Sequence, residues 1–559
     1  MAFPTPPSRV GGTSRVLVIG AGGVFGSRLA AGLVRHGFEI VVAGRSLARA
    51  EATAEALRGA GGVVSAAALD TRTLNPVDLT ATGAGIVVDA AGPFQGARPR
   101  VAQAAIAAGL HYVDLADARD FVASFGTLDE AATAAGVVVL SGASSTPALS
   151  SAVLDELTRG WSVVTSVEAA ISPGARAPRG VSVTAAILSW AGRPVQVFEA
   201  GAWRKRPGWS GSVRRRFGAA GPRWVSLCET PDLDILAARF RPTDRALFMA
   251  GLEPGVLHWA TAVLTCISGR AGIDLRPAAG LLNALSRWVP PFGSDKGAMR
   301  VEALGIDAQG RAVRALWRLV AEPGVGPVTP TLPALAAIRA IANGSLKPGA
   351  RACIGDLTLA DIEAEMAHHA LVTDRTTERG AIFARAIGVG FDALPAPLRA
   401  LHETPGRSVW RGEAVVDGPA NVLAAMVGWL IGFPARAGVA PVEVLIDADG
   451  RRSIWRRRIG KACFVSVLSR PQGEGRISER FGLVTVNLRL RAEPYRLVYQ
   501  IDGWRFGPLP LPIALAPRTR THEAVDDAGR FTFDVEIGMP LLGRVVRYRG
   551  WLVRASEQG

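Results

Sequence analysis

The chain has 559 residues, 49% of them hydrophobic and 20% charged, with a formal net charge of +15. That length exceeds one hydrophobic core and requires two or three domains, and the composition is that of a folded globular protein rather than a disordered or fibrous one. The positive excess is nearly all arginine, since lysine occurs only at Lys205, Lys296, Lys347 and Lys461; it reads as the imprint of a GC-rich genome, as in a bacterium, before it reads as a polyanion signal, and no nucleic-acid partner is expected.

The first residues lack the basic start and apolar core of a secretory leader, so a cytoplasmic location is expected. Residues 15–20 (Arg-Val-Leu-Val-Ile-Gly) are a short apolar run ending in glycine, the pattern of a central parallel strand buried on both faces. Ala21-Gly22-Gly23-Val24-Phe25-Gly26 follows, then a helical stretch over 27–35. The glycines fit Gly20-x-Gly22-x-x-x-Gly26 and Gly20-x-x-Gly23-x-x-Gly26, neither of them the strict GxGxxG. Either spacing meets the same demand: a tight turn, close backbone approach to a pyrophosphate, and tight helix–strand packing. The pyrophosphate then sits against the free N–H groups and positive dipole end of the helix. Strand, turn, helix and second strand fall within one βαβ length. They predict a Rossmann-type, doubly wound parallel α/β domain over residues 1–150, with Gly20, Gly22, Gly23, Val24, Phe25 and Gly26 at the cofactor.

The second strand, 39–43, ends in Gly44-Arg45-Ser46, where an NAD-specific protein usually carries a carboxylate for the ribose. A guanidinium there pairs with a 2′-phosphate through charge-assisted hydrogen bonds. NADP(H) is therefore the expected cofactor, with NAD(H) the alternative, and Arg45 and Ser46 are placed at the phosphate. A third strand, 62–69, brings Asp70 to the adenine edge. A fourth, from residue 85, runs into Ala91-Gly92-Pro93-Phe94; a fifth, 111–115, leads to Asp117; a sixth, 136–140, leads to Ser144 and Thr146. Ligands collect outside the carboxyl ends of such strands. Ala91, Gly92 and Pro93 are thus assigned to the cofactor and Asp117 is the candidate proton donor, while His111 and Tyr112, as strand residues, read as structural.

These segments resemble the saccharopine dehydrogenase-like family. The resemblance rests on Gly-Ala-Gly-Gly-Val-Phe-Gly (20–26), Val-Ala-Gly-Arg-Ser (42–46), Ala-Ala-Gly-Pro-Phe (90–94), Gly-Leu-His-Tyr-Val-Asp-Leu (109–115) and Gly-Ala-Ser-Ser-Thr-Pro-Ala-Leu-Ser (142–150). It covers about a quarter of the chain and implies a nicotinamide-dependent oxidoreductase, often NADP-linked. Where the family usually has Pro-Gly-Leu-Ser, this chain has Pro147-Ala148-Leu149-Ser150, whose extra methyl restricts the backbone. The short-chain dehydrogenases share the glycine pattern but need Tyr-x-x-x-Lys, and none of Tyr112, Tyr495, Tyr499 and Tyr548 has lysine four residues on.

Residues 151–365 read as an α+β substrate domain that could also form a homodimer, with strands at 163–171, 181–189 and 313–320 and a helix at 334–342. Trp203, Trp209, Trp224, Trp259 and Trp288 read as core, and His258 as a satisfied buried histidine. Cys228, Cys266, Cys353 and Cys463 stand far apart, which predicts free thiols and no metal site. The runs Arg204-Lys205-Arg206, Arg214-Arg215-Arg216 and Arg456-Arg457-Arg458 leave peripheral membrane contact open. A polar linker is expected over 366–393.

From 394 to 559 short β segments succeed one another (442–446, 462–467, 475–481, 483–490, 496–502, 530–537), which predicts a mainly antiparallel sheet or barrel. Residues 503–512 and 540–551 resemble an uncharacterised domain appended to some bacterial saccharopine dehydrogenase-like proteins. The apolar stretch 422–435 is shorter than the roughly 20 residues of a membrane span and reads as a buried helix. His402, Glu413, Arg456, Glu479 and His522 are polar residues that a barrel could gather, although scattered surface positions suit them better. The sequence thus describes an NADP(H)-dependent oxidoreductase that transfers hydride to or from an imine, carbonyl or activated alkene of a small-molecule or lipid-like substrate. The alternative is a non-catalytic, NADP-sensing binding protein.

Overall fold

A computed structural model describes residues 14–177, 189–271, 293–403, 406–448, 452–469 and 475–555. The chain forms two compact units. One comprises residues 1–159, 167–303 and 316–376, the other 160–166, 304–315 and 377–559.

The nucleotide domain is built on β1 (Arg15–Ile19), β2 (Glu39–Gly44), β3 (Val64–Ala68), β4 (Ile86–Asp89), β5 (His111–Asp114) and β6 (Val138–Ser141). They pair in parallel. Val16, Leu17, Val18 and Ile19 are all buried, because helices cover both faces of a parallel sheet. The sheet order is β15-β6-β5-β4-β1-β2-β3. The chain therefore moves outward from β1 in one direction and resumes at β4 in the other, which opens a crevice above β1 and β4. The seventh strand, β15 (Gly349–Ala352), pairs in parallel with β6. The domain is therefore not contiguous within 1–150; the sequence Gly-Ala-Arg-Ala offers no apolar run by which to read this strand.

A second, mixed sheet contains β7 (Trp161–Ser172), β8 (Pro194–Glu199), β9 (Ala202–Pro207), β10 (Val213–Arg216), β11 (Pro222–Leu227), β12 (Arg245–Ala250), β13 (Gly297–Asp307), β14 (Ala312–Ala321) and β16 (Leu371–Arg379). The strands expected at 163–171 and 313–320 are β7 and β14, and the expected helix is Leu332–Ala342. The strand expected at 181–189 falls almost entirely, and Trp288 wholly, outside the described residues. Trp209 is buried, while Trp203 and Trp259 are 44% exposed, so the tryptophans are not uniformly core. Residues 371–379 are a strand rather than linker: their polar side chains alternate across it, with Asp374 accepting from Arg318 at 2.8 Å.

The carboxy-terminal strands are β17 (Gly406–Asp417), β18 (Gly438–Ala448), β19 (Arg452–Ile459), β20 (Ala462–Ser469), β21 (Arg476–Phe481), β22 (Val484–Glu493), β23 (Arg496–Phe506), β24 (Leu509–Leu511), β25 (Arg518–Val525), β26 (Phe531–Met539) and β27 (Gly543–Arg554). Antiparallel neighbours follow one another along the chain, β24 folds back on β23, and β27 pairs with β17. With β22 also paired to β23, the sheet closes into an up-and-down barrel. Alternate residues such as Val442, Val444 and Ile446 fill the interior.

Candidate functional site

The turn after β1 is shaped by two glycines that admit no side chain. Gly20 has φ +83°, and a Cβ there would lie 2.8 Å from the Ala90 carbonyl carbon. A Cβ on Gly26 would lie 2.2 Å from the Gly20 oxygen, so α1 (Val24–Arg35) can start this close to β1 only with glycine at its third position. Gly23 is the residue before the helix and donates its N–H to Gly20 O at 2.9 Å. No side chain caps α1, which leaves first-turn N–H groups, including those of Val24 and Phe25, to a ligand. Gly22 is exposed, and a Cβ on it would meet nothing closer than Thr53 Oγ1 at 3.7 Å. Protein packing does not demand glycine at that position. The open space above it suits a close pyrophosphate.

Ala91, Gly92 and Pro93 are exposed across the crevice, beside Gly20, where β4 ends. Ala91 N donates to the buried Asp89 carboxylate at 2.9 Å, and burial raises that carboxyl to about 6. Phe94 instead enters the core, its ring 5.1 Å from Phe121. At the end of β2, Arg45 and Ser46 are exposed, and Ser46 accepts from Arg49 N at 3.4 Å as the cap of α2 (Leu47–Gly59). Asp70 follows β3 and is gripped by Arg72, which holds its carboxyl down at about 2; Arg45 adds to that field. Arg72 had no motif to mark it. With Arg45 it makes the adenosine end of the crevice basic.

Asp114, at the end of β5, is fully buried and accepts from Gly142 N (2.7 Å), Ala116 N (2.9 Å), Ser141 Oγ (3.0 Å) and Tyr112 Oη (3.2 Å). Burial outweighs these bonds and raises its carboxyl to about 7. It locks the loops after β5 and β6 together. Asp114→Ala strands four buried donors and is expected to cost about 3–5 kcal/mol of stability in urea unfolding at acidic pH. Because the raised pKa favours the protonated native form, that contribution is complete below the ordinary carboxylate range and is lost as pH rises through about 7. The difference between wild type and variant should therefore shrink with rising pH.

Asp117 lies just beyond this lock. Its surface is open to solvent although protein crowds the carboxylate; desolvation raises its pKa, opposed by a 3.0 Å hydrogen bond from Gln95 Nε2. Glu229, after β11, shares this spot. Desolvation first, and then the charges of Asp120, Asp117 and Asp234, push its carboxyl up to about 7 against the pull of Arg119. Sequence reasoning missed Glu229, which lies far along the chain with no motif around it. Cys228 beside it is pushed up to about 12, chiefly by burial, and is an inert thiol. Ser144 and Thr146 are buried at the carboxyl end of β6. Tyr112 and His111 are structural: the first bonds Asp114 from a fully buried position, and the second accepts from Val138 N at 3.0 Å.

His258 is buried against Ser226 Oγ at 3.0 Å, and burial lowers its pKa to about 4, so it is a neutral core histidine. Two arginine runs lie along strands that turn their middle residue inward. Arg215 binds the buried Glu168 through two 2.7 Å bonds, and Arg457 pairs with Glu479 at 3.3 Å. Of the five polar residues a barrel could have gathered, His402 and Glu479 are enclosed while Glu413 and Arg456 are exposed. Among the described residues no three His, Cys, Asp or Glu side chains form a metal-binding group, and no helix is long and apolar enough to cross a membrane.

A doubly wound sheet with a side-chain-free turn at its switch point and a basic ribose end defines a dinucleotide-binding domain of the Rossmann type. More narrowly, residues 16–140 match the family described as the saccharopine dehydrogenase NADP binding domain, and residues 394–552 match a domain of unknown function, DUF4166. The chain thus carries a region similar to the saccharopine dehydrogenase NADP binding domain near one end and a DUF4166 region near the other. No curated protein matches it. Among solved structures it is similar to apo saccharopine dehydrogenase (L-Glu forming) from Saccharomyces cerevisiae, at 14% identity over 65% of this chain and 99% of that one, TM-score 0.49. GenD2 from gentamicin A biosynthesis, in complex with NAD, is 16% identical over 66% of this chain and 95% of its own, TM-score 0.32.

Proposed function

We propose that the protein is an NADP(H)-dependent oxidoreductase acting on an imine, carbonyl or activated alkene of a small or lipid-like substrate. The observation that carries this reading is the crevice itself: the Gly20–Gly26 cradle at one end, Arg45 at the ribose end, and a carboxyl poised near neutrality beside Asp117. When bound, the nicotinamide supplies the hydride. Val24, Phe25 and Gly26 present N–H groups to the pyrophosphate, and Arg45 pairs with the 2′-phosphate. Glu229 carries the proton for net reduction, and Asp117 is the positioning carboxylate whose charge keeps that proton on.

Incubating the purified protein with NADPH and a metabolite or lipid extract should deplete absorbance at the reduced-nicotinamide band. Binding without depletion in any extract would favour the non-catalytic, NADP-sensing reading, which is supported by an apolar cavity inside the barrel lined by Val442, Val444, Trp455 and Phe531. For cofactor choice, Arg45→Asp should weaken NADPH about 10–100-fold and leave NADH unchanged or improved, because one charge-assisted contact becomes a repulsion. Equal affinities of wild type for the two nucleotides in calorimetry would remove Arg45 from this role.

A further inference from the structure

The barrel has two unlike ends. Its strands alternate in direction, so the connections 418–437, 460–461, 482–483, 507–517 and 540–542 all fall at one end. None of them contains Asp or Glu. The longest carries the helix Val422–Ile431, which buries only Ala424 and Gly428. Its large residues face water: Val422 is 84% exposed and Trp429 76%, and Leu423, Met426 and Leu430 are exposed too. The expectation of a buried helix at 422–435 is thus corrected, since a helix normally buries its bulky stripe and this one buries its small residues.

The neighbouring connections repeat the pattern. Leu483, Leu509, Ile513 and Leu515 are exposed, and Leu541 is completely so. Asn421 Nδ2 donates to Leu542 O at 2.8 Å and ties the helix to the 540–542 turn. A continuous apolar rim of this kind marks an interaction surface. Exposed Arg436, Lys461, Arg505, Arg518 and Arg544 border it.

Behind the rim lies an apolar cavity of about 140 Å³, which reaches Ile431, Phe433 and Pro517 of the same connections. The other end is stoppered by His402, whose ring centre lies 3.8 Å from that of Phe383 in a tilted contact and stacks 5.8 Å from that of Trp455. The interior polar groups are paired with one another, Arg457 with Glu479 at 3.3 Å and His402 Nε2 with Glu523 Oε2 at 2.5 Å.

We propose that this rim docks on an anionic phospholipid bilayer and that the cavity receives the apolar chain of a neutral lipid taken from it. An apolar face with an interfacial tryptophan, bordered by five exposed basic residues against the single acidic residue Asp417 at the end of β17, complements such a surface in both hydrophobicity and charge. A second copy of the chain would instead bring five basic residues against five more. None of these features involves the nucleotide domain, so NADPH binding by the same preparation is a separate readout and a control for folding.

The test is flotation of the full chain with phosphatidylcholine vesicles, with and without phosphatidylglycerol. The protein is expected to float with the anionic vesicles and to be released by salt. The double variant Trp429→Glu, Leu430→Glu should lose about tenfold or more of that binding while keeping NADPH affinity, since both positions are exposed. Equal flotation of wild type and double variant would overturn the docking. So would a wild-type dimer that ignores vesicles and that the double variant converts to monomer, because the rim would then join two copies. For the cavity, vesicles carrying a pyrene-labelled diacylglycerol should lose excimer emission with wild type. Ile537→Trp, which fills the cavity, should still float but extract nothing; undiminished extraction by that variant would overturn the cavity's role.

Discussion

Glu229→Gln is expected to lower turnover by about 10²–10⁴-fold while leaving NADPH affinity unchanged, the usual loss when a positioned proton carrier is removed. The reason is the setting of the carboxyl. Desolvation and the nearby Asp120, Asp117 and Asp234 raise it to about 7, so near neutral pH it can hold a proton that an ordinary glutamate would have released. In the reducing direction the protonated form is the active one. The rate should be level at acidic pH and fall as pH rises through about 7. Asp117→Asn removes a negative charge, which should make Glu229 a stronger acid and move the midpoint of the profile to lower pH. That displacement separates a positioning role from a structural one, which would change the amplitude and leave the midpoint alone. A Glu229→Gln enzyme that keeps the inflection near 7 would transfer the role to another group.

Sequence reasoning reached the parts of the molecule that are written locally. β1, β2, β4 and β6 are built on short apolar runs bounded by glycine or polar turns, and the Gly20–Gly26 turn needs residues adjacent in the chain. Arg45 is legible for the same reason, standing immediately after β2. What escaped reading depends on distant neighbours. Glu229 is set apart only by the burial and charge that other segments supply, and β15 pairs with β6 although most of the second sheet's strands lie between them in the chain. In the run Arg456-Arg457-Arg458 the strand's two-residue period decides which arginine points inward, and without the register Arg456 is indistinguishable from Arg457. The helix at 422–431 shows the same limit: apolar composition gives the helix, but which face is covered is a tertiary fact. β17, β19, β25 and β27 were also missed, being rich in arginine and charged residues on the outer face of the barrel.

Gly26→Val should abolish nucleotide binding, with affinity for NADPH falling about 10²–10⁴-fold as at least two charge-assisted hydrogen bonds to the pyrophosphate are lost. A Cβ at this position would lie 2.2 Å from Gly20 O and 2.9 Å from Ala21 Cα, both of them backbone atoms that cannot rotate away. The first turn of α1 must therefore withdraw from β1, and the N–H groups of Val24 and Phe25 leave their aim with it. The same withdrawal loosens the packing of Leu29 and Leu33, so the melting temperature should also drop. Gly22→Ala is the companion measurement. There the added methyl has room within the protein, with Thr53 Oγ1 at 3.7 Å, so stability should hold while NADPH affinity declines because the methyl occupies the ligand's side of the turn. Calorimetry and thermal unfolding on the two variants divide the turn's two duties: one glycine lets the helix meet the strand, and the other lets the phosphate meet the helix. If Gly26→Val bound NADPH as wild type does, the turn would be a packing device alone, and the cofactor site would have to be sought elsewhere on the sheet.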